Sequence, residues 1–314
     1  MGTVTFMRTD FGGGSIRSQV LNLVMRNSAR RVIDVWSLAP TLPWPYGVVD
    51  HAGRLQRKVA GTVFERVEIA GRRARVVRTP DSRSGRHILY FHGGAFVVGG
   101  WHLHGSLISR VAAATGTTVL AVDYRQLPQH SIDDATADGL AAYRHLLAQG
   151  IPAEDIVFMG DSAGGFLSFT VADRAREEGL PAPRALAVMS PLIDLDLERT
   201  PASGGCAIFD VRILSIFARL ANRRSAGFHA PADCALGALP PVLFQVSSAE
   251  ALYPQVCQFA NQLESAGVTV DLHVWPDQLH VFQASLLIPE AAEAVQALAR
   301  YVTQAFEAKV SVSA

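Results

Sequence analysis

Cysteine is scarce: Cys206, Cys234 and Cys257 are the three in 314 residues. An odd number at wide spacing supplies neither a disulfide framework nor the paired ligand spacing of a zinc site, so reduced, incidental thiols and no metal are expected. Net charge is missing too. The 28 basic and 28 acidic side chains cancel, and no run of Lys and Arg breaks the balance. That removes the electrostatic case for nucleic acid or an anionic membrane surface as a partner. The opening stretch MGTVTFMRTDFGGGSIRSQV lacks the continuous apolar core of a signal peptide. No segment reaches the length of a membrane span without a charge or a breaker. A cytoplasmic chain without stable membrane insertion is the expectation.

What is present is apolar and periodic. Hydrophobic residues make up 49% of the chain and charged ones 18%, enough for a sizeable core in one large or two small domains. Residues 15–40 place Ile16, Val20, Leu23, Val24, Ile33, Val35 and Leu38 at helical spacing, which predicts one or two amphipathic helices packed on the main body. Pro40, Pro43 and Pro45 then mark a linker. Two alternating runs, 63–69 and 72–77, flank Ala70-Gly71 and read as a hairpin.

Beyond residue 87, apolar runs at 87–91, 118–122, 156–159, 185–189, 241–246 and 268–274 alternate with helix-length segments near 103–115, 133–149, 163–178, 253–266 and 289–307. Strands apolar throughout, separated by helices, imply a mostly parallel sheet covered on both faces, an α/β architecture. A connection of about fifty residues between Met189 and Pro241 is too long for a bare loop. With helix-like spacing over 211–220, it reads as an insertion standing above the sheet.

Two loops carry chemistry. Gly160-Asp161-Ser162-Ala163-Gly164 follows the strand at 156–159 and opens a helix, the strand–turn–helix setting in which Gly-x-Ser-x-Gly becomes a nucleophile elbow. Glycines at 160 and 164 remove side chains where strand and helix crowd each other. Ser162 then stands at a helix N-terminus, and the Ala163 N–H points toward negative charge developing there. A glycine-rich turn holding an incidental serine is the bland reading of this loop alone. His92-Gly93-Gly94-Ala95-Phe96 follows the strand at 87–91. Its backbone N–H groups suit an oxyanion hole, so Gly93, Gly94 and Ala163 are the candidate donors. A phosphate loop would require a Gly-x-Gly-x-x-Gly or a Lys-Ser/Thr partner, and neither is present.

His92-Gly93-Gly94-Ala95-Phe96, then Asp123-Tyr124-Arg125, then Gly160-Asp161-Ser162-Ala163-Gly164-Gly165 together resemble the hormone-sensitive-lipase-like family of α/β-hydrolases, over roughly residues 60–305. The resemblance implies an α/β-hydrolase core at 51–196 and 236–314, a helical cap built from residues 1–50 and 197–235, and hydrolysis of short to medium acyl esters without a cofactor. It also implies dimerisation through the edge of the last strand. Two departures stand out: Ala95 replaces a third glycine common in the family, and Gln129 replaces a glutamate in the run from Tyr124 to His130.

The α/β-hydrolase order is Ser, acid, His. Three histidines follow Ser162: His229, His273 and His280. His229 falls in the insertion and His273 inside a strand run, whereas His280 follows that strand in a loop. His280 is therefore the candidate general base, with a ring whose ordinary pKa suits the task. Many relatives carry an aspartate where this chain has Ala249. Glu250 is the one carboxylate in its loop and the candidate acid; Asp277 is the rival, awkwardly close in sequence to the base. Asp194 and Asp196 read as loop-stabilising groups. Phe96, Trp101, Phe209 and Phe217 are candidate substrate-lining residues, weighed against simple packing.

A carboxylic ester hydrolase with a Ser162–His280–Glu250 triad and a small ester substrate is the resulting expectation. Non-catalytic receptors on the same fold lack the base, which His280 supplies here. Amidases and acyltransferases use the same triad and differ in pocket shape. Trypsin-like enzymes place the base before the serine. An interfacial lipase is disfavoured by the lack of a long, strongly apolar lid.

Overall fold

The protein is described by a computed structural model covering residues 5–83, 85–199, 202, 206–223 and 228–308. Nine strands form one sheet: β1 (Phe6–Asp10), β2 (Val63–Ile69), β3 (Arg72–Arg78), β4 (His87–Phe91), β5 (Thr118–Val122), β6 (Ile156–Asp161), β7 (Ala185–Met189), β8 (Val242–Ser247) and β9 (Val270–Trp275), in the spatial order β1-β9-β8-β7-β6-β4-β5-β3-β2. The β2–β3 hairpin is antiparallel and β3 is antiparallel to β5; every other pairing is parallel. Ala70 and Gly71 both adopt positive φ, 49° and 75°, the turn geometry that matches the right-handed twist of a hairpin.

The central strands are buried on both faces because alternate side chains enter two separate cores. Leu89 and Phe91 of β4 pack with α5 (Ile132–Ala148), α6 (Ala163–Glu177) and α8 (Tyr253–Ser265), while Ile88 and Tyr90 pack with α4 (Gly105–Thr115) and α9 (Pro289–Glu307). The helix α7 (Val211–Asn222) lies in the long connection between β7 and β8, as its apolar spacing predicts.

The N-terminal segment departs from expectation. It begins with β1, whose polar sequence FMRTD gives no strand signal; the strand exists by pairing in parallel with β9. That pairing takes the edge of the last strand, so the dimerisation edge implied by family resemblance is already covered by the chain itself. Helices α1 (Ile16–Asn27), α2 (Ala29–Leu38) and α3 (Tyr46–Ala52) follow, the last lying just beyond the prolines read as a linker. Ser18 and Leu21 of α1 and Trp36 and Ser37 of α2 are buried, and Ile33 partly so, but Ile16, Val20, Leu23, Val24, Val35 and Leu38 are exposed. The inward stripe is set by tertiary contacts, among them the bond from Ser18 Oγ to Gln278 Oε1 (2.6 Å), rather than by the broadest apolar face. Helix α2 meets α7 through stacked Trp36 and Phe217 rings (5.1 Å) and an Arg212–Asp34 ion pair of 2.9 Å. Cys206, Cys234 and Cys257 are free thiols. Among the described residues no helix is long and apolar enough to cross a membrane.

Candidate active site

Ser162 links β6 to α6 with φ 53° and ψ −117°, a strained conformation for a side chain other than glycine. Three backbone bonds hold it there. Its N–H donates to Met189 O (2.9 Å), and its carbonyl accepts from Leu192 N (3.1 Å) and Phe166 N (3.2 Å). The glycines are required by proximity: a Cβ at Gly164 would overlap the Phe91 carbonyl, one at Gly160 would overlap the Gly164 carbonyl, and one at Gly165 would lie 2.6 Å from Pro191 Cβ.

The loop after β4 runs alongside. Gly94 has φ 113°, and a Cβ at Gly93 would overlap the Asp161 carboxylate. Asp161 is buried directly before the serine; it accepts from Tyr90 Oη (2.6 Å) and faces His104 Nε2 at 3.3 Å. Burial alone would raise its pKa, yet the His104 charge and hydrogen bonds from His104 and Tyr90 hold it below the ordinary carboxylate range. His104, desolvated but paired with Asp161, is raised above the usual imidazole value. His92 has no such partner: burial, aided by the His104 charge, pushes it down to about 4. Its Nδ1 donates to Gly93 O (2.8 Å), its ring stacks on Tyr124 (4.4 Å), and Tyr124 Oη donates to its carbonyl (2.7 Å). These contacts make the loop rigid. Among the described residues the N–H groups of Gly93, Gly94 and Ala163 are used in no hydrogen bond, which leaves them free to act as donors.

Glu250 follows β8 and His280 follows β9, so both emerge at the same C-terminal sheet edge as Ser162. His280 Nδ1 lies 2.5 Å from Glu250 Oε2. The other oxygen of Glu250 accepts from Ser190 Oγ (2.6 Å) and Ser247 N (2.9 Å), and its side chain is fully buried. With Nδ1 given to the carboxylate, Nε2 is the ring nitrogen left for proton transfer. Asp277 is exposed, with its side chain toward Gly13 and Gly14, its backbone carbonyl accepts from Asn22 Nδ2 (2.8 Å), and among the described residues it forms no hydrogen bond to His280. Asp194 is engaged by Arg199 and by Asp196 N (3.0 Å), a loop-stabilising role. Of the other histidines, His229 pairs with Asp173 at 3.0 Å, and His273 lies on β9 with its pKa pushed down to about 4, first by burial and then by Arg300.

Ser190 escaped the sequence reading. It has φ 46°, donates to Glu250, and accepts from Val281 N at 3.3 Å. Together with Met189 it ties the serine turn, the carboxylate and the histidine loop to one end of β7. A serine at the end of an apolar run carries no signal of that role.

The aromatic candidates scatter. Phe209 packs edge-on against His280 (4.9 Å). Phe96 is buried between Tyr124 and Phe166, and Phe217 packs on Trp36. Trp101 faces a different cleft, beneath Arg75. Asp173, His229 and Cys234 gather three ligand-type atoms within 4.8 Å. Asp173 is already committed to Arg176 and to Ala235 N, so this cluster reads as a structural ion-pair network.

Residues 88–284 match the family described as alpha/beta hydrolase fold. The chain is 34% identical over 310 residues to the carboxylesterase/phospholipase LipF of Mycobacterium tuberculosis, covering 93% of this chain and 83% of that protein. It is 35% identical over 295 residues to esterase LipU of the same organism, covering 88% of this chain and 99% of that one. Among solved structures, an esterase from the bacterial hormone-sensitive lipase family superposes with a TM-score of 0.78 at 27% identity, covering 94% of this chain and all of that one.

Proposed function

The chain belongs to the α/β-hydrolase fold family, in its hormone-sensitive-lipase group, and is a carboxylesterase; on that premise we propose that it cleaves short to medium acyl esters through a Ser162–His280–Glu250 triad. The observation that carries this reading is the buried Glu250 carboxylate 2.5 Å from His280 Nδ1, at the sheet edge where the elbow presents Ser162.

In this mechanism His280 Nε2 takes the hydroxyl proton as Ser162 Oγ attacks the ester carbonyl carbon. The N–H groups of Gly93, Gly94 and Ala163 receive the oxyanion, where preorganised donors stabilise charge that develops only in the transition state. Glu250 holds the ring tautomer and stabilises the imidazolium. The imidazolium protonates the departing alkoxide, which leaves as the alcohol, with the acyl group on Ser162. Water then gives a proton to His280 and attacks the acyl carbon. Collapse returns the proton to Ser162 Oγ and frees the carboxylic acid.

Residues 6–10 belong to the core sheet, so we assign residues 11–50 and the described part of 197–235 to a cap over this edge, a reading supported by the α2–α7 contacts and by Phe209 against His280; residues 1–4, 200, 201, 203–205 and 224–227 lie outside the described residues. The test is turnover of p-nitrophenyl esters from acetyl to lauroyl. Wild type is expected to peak between acetyl and octanoyl, and Ser162→Ala to lose roughly 10⁴-fold or more in kcat. Wild-type turnover by Ser162→Ala would refute the assignment, and a peak at lauroyl would refute the chain-length preference.

A further inference from the structure

The β2–β3 hairpin carries charges that the esterase reading does not use. Arg66 and Arg75 are direct cross-strand partners, an arrangement of like charges that destabilises a sheet. Arg73, two residues from Arg75, emerges on the same face. Arg73 is answered by Asp123 at 3.1 Å. Arg66 and Arg75 form no ion pair among the described residues.

Arg75 is the unusual member. It is 6% exposed, and its guanidinium lies on the Trp101 ring, 3.1 Å from the centroid. Stacking satisfies the flat face of the cation but not its in-plane N–H donors, and among the described residues those donors make no hydrogen bond. Burial, with the charges of Arg66 and Arg73, lowers its pKa to about 10, so it stays protonated at neutral pH. It lines a cleft of about 350 Å³ that it shares with Arg54, Arg66, His51 and His102. The cleft's two carboxylates are already engaged: Asp50 Oδ1 accepts from the N–H groups of His102 (3.1 Å) and Leu103 (3.0 Å), and Asp123 holds Arg73. Val98, Gly99 and Gln126 form a further wall. Behind it lies the oxyanion loop, since a Cβ on Gly99 would come within 2.6 Å of Gly93 O.

No Arg75 nitrogen is both sealed from solvent and unpartnered, so its unused donors open onto the cleft, where an anion can take them up. Arg54 Nε donates to His102 Nε2 (3.2 Å) at the rim, and guanidinium groups on the floor and rim of one cleft present N–H donors from several directions, as a tetrahedral oxyanion can use. We propose that this cleft is a phosphate-binding site, separate from the triad, with Arg75 as its buried anchor and Arg66 as its second cation. The ligand is inorganic phosphate or the phosphate of a monoester. The proposal stands independently of the triad assignment.

Isothermal titration calorimetry tests it on the full chain, at constant ionic strength set with NaCl. Wild type and Ser162→Ala are expected to bind inorganic phosphate saturably with equal affinity, and acetate at least tenfold more weakly. Arg66→Gln, on an exposed position, should weaken phosphate roughly tenfold, the worth of one charge-assisted bond. Arg75→Met, checked for folding by circular dichroism, should abolish binding. Titration with glycerol 1-phosphate separates the sources: tighter binding than inorganic phosphate supports a monoester ligand, and equal or weaker binding supports the free ion. The proposal is overturned by the absence of saturable binding, by acetate binding as tightly as phosphate, by unchanged affinity in Arg66→Gln, or by loss of binding in Ser162→Ala, which would place the anion in the catalytic site.

Discussion

His280 Nδ1 and Glu250 Oε2 are 2.5 Å apart, joining a loop after β9 to a loop after β8. The carboxylate is fully buried and holds hydrogen bonds from Ser190 Oγ and Ser247 N, so its position does not depend on solvent. In the proposed triad, a fixed carboxylate on Nδ1 would leave Nε2 available and favour the imidazolium that proton abstraction creates.

From that relationship, Glu250→Gln should keep the fold and lose roughly 10²–10⁴-fold in kcat, because an amide neither holds the tautomer nor balances the charge. Asp277→Asn should stay within about threefold of wild type. Steady-state kinetics on one p-nitrophenyl ester distinguish the two. A severe loss confined to Asp277→Asn would transfer the acid role to Asp277.

The elbow makes a prediction about stability. Gly164→Ala places a methyl on the Phe91 carbonyl and should cost more than about 3 kcal/mol, since backbone must move to admit it. Gly47→Ala is the matched control: nothing lies within 4 Å of its Cβ position, and the residue is in helix α3. It should be neutral or stabilising by up to about 1 kcal/mol. Urea unfolding of both variants reads the difference.

The buried histidines predict the pH dependence of stability. His92 and His273 have folded-state pKa values near 4, below the unfolded value of about 6.5. Between those limits the unfolded chain binds protons that the folded chain refuses, so stability falls as pH drops through the window. For His92 alone the loss is on the order of 3 kcal/mol. His104 acts in the opposite sense: its pKa is raised by Asp161, so its contribution is complete below about pH 6.5 and is lost as pH rises through its folded value. The urea midpoint should therefore decline from about pH 6.5 toward about pH 4. A midpoint unchanged across that interval would contradict the account.

The parts legible in the sequence are those with local causes. The strand and helix runs from residue 87 onward follow from hydrophobic periods, and each observed element falls within a few residues of its run. The turn at Ser162 could be recognised because its glycines answer contacts between a strand and the helix that follows it. Glu250 stands beside His280 and is the one carboxylate of its loop; its role as the acid is the proposal that Glu250→Gln tests. What could not be read depends on distant partners. The strand β1 is polar and exists by docking on β9. The inward stripe of α1 follows contacts with residues 275–279 rather than the apolar period. Ser190 acquires its role because β7 lies between β6 and β8, an order that no residue near Ser190 announces. Arg66 and Arg75 face each other through hairpin register, and the stacking of Arg75 over Trp101 has no sequence signature.

Fluorophosphonate labelling followed by peptide mapping addresses the central claim most directly, because the reagent reacts with a hydroxyl only where a base and an oxyanion hole activate it. A single adduct on Ser162 is expected in wild type, with labelling slowed by at least about 10³-fold in His280→Ala. An adduct on another residue, or unslowed labelling of Ser162 without His280, would contradict that claim.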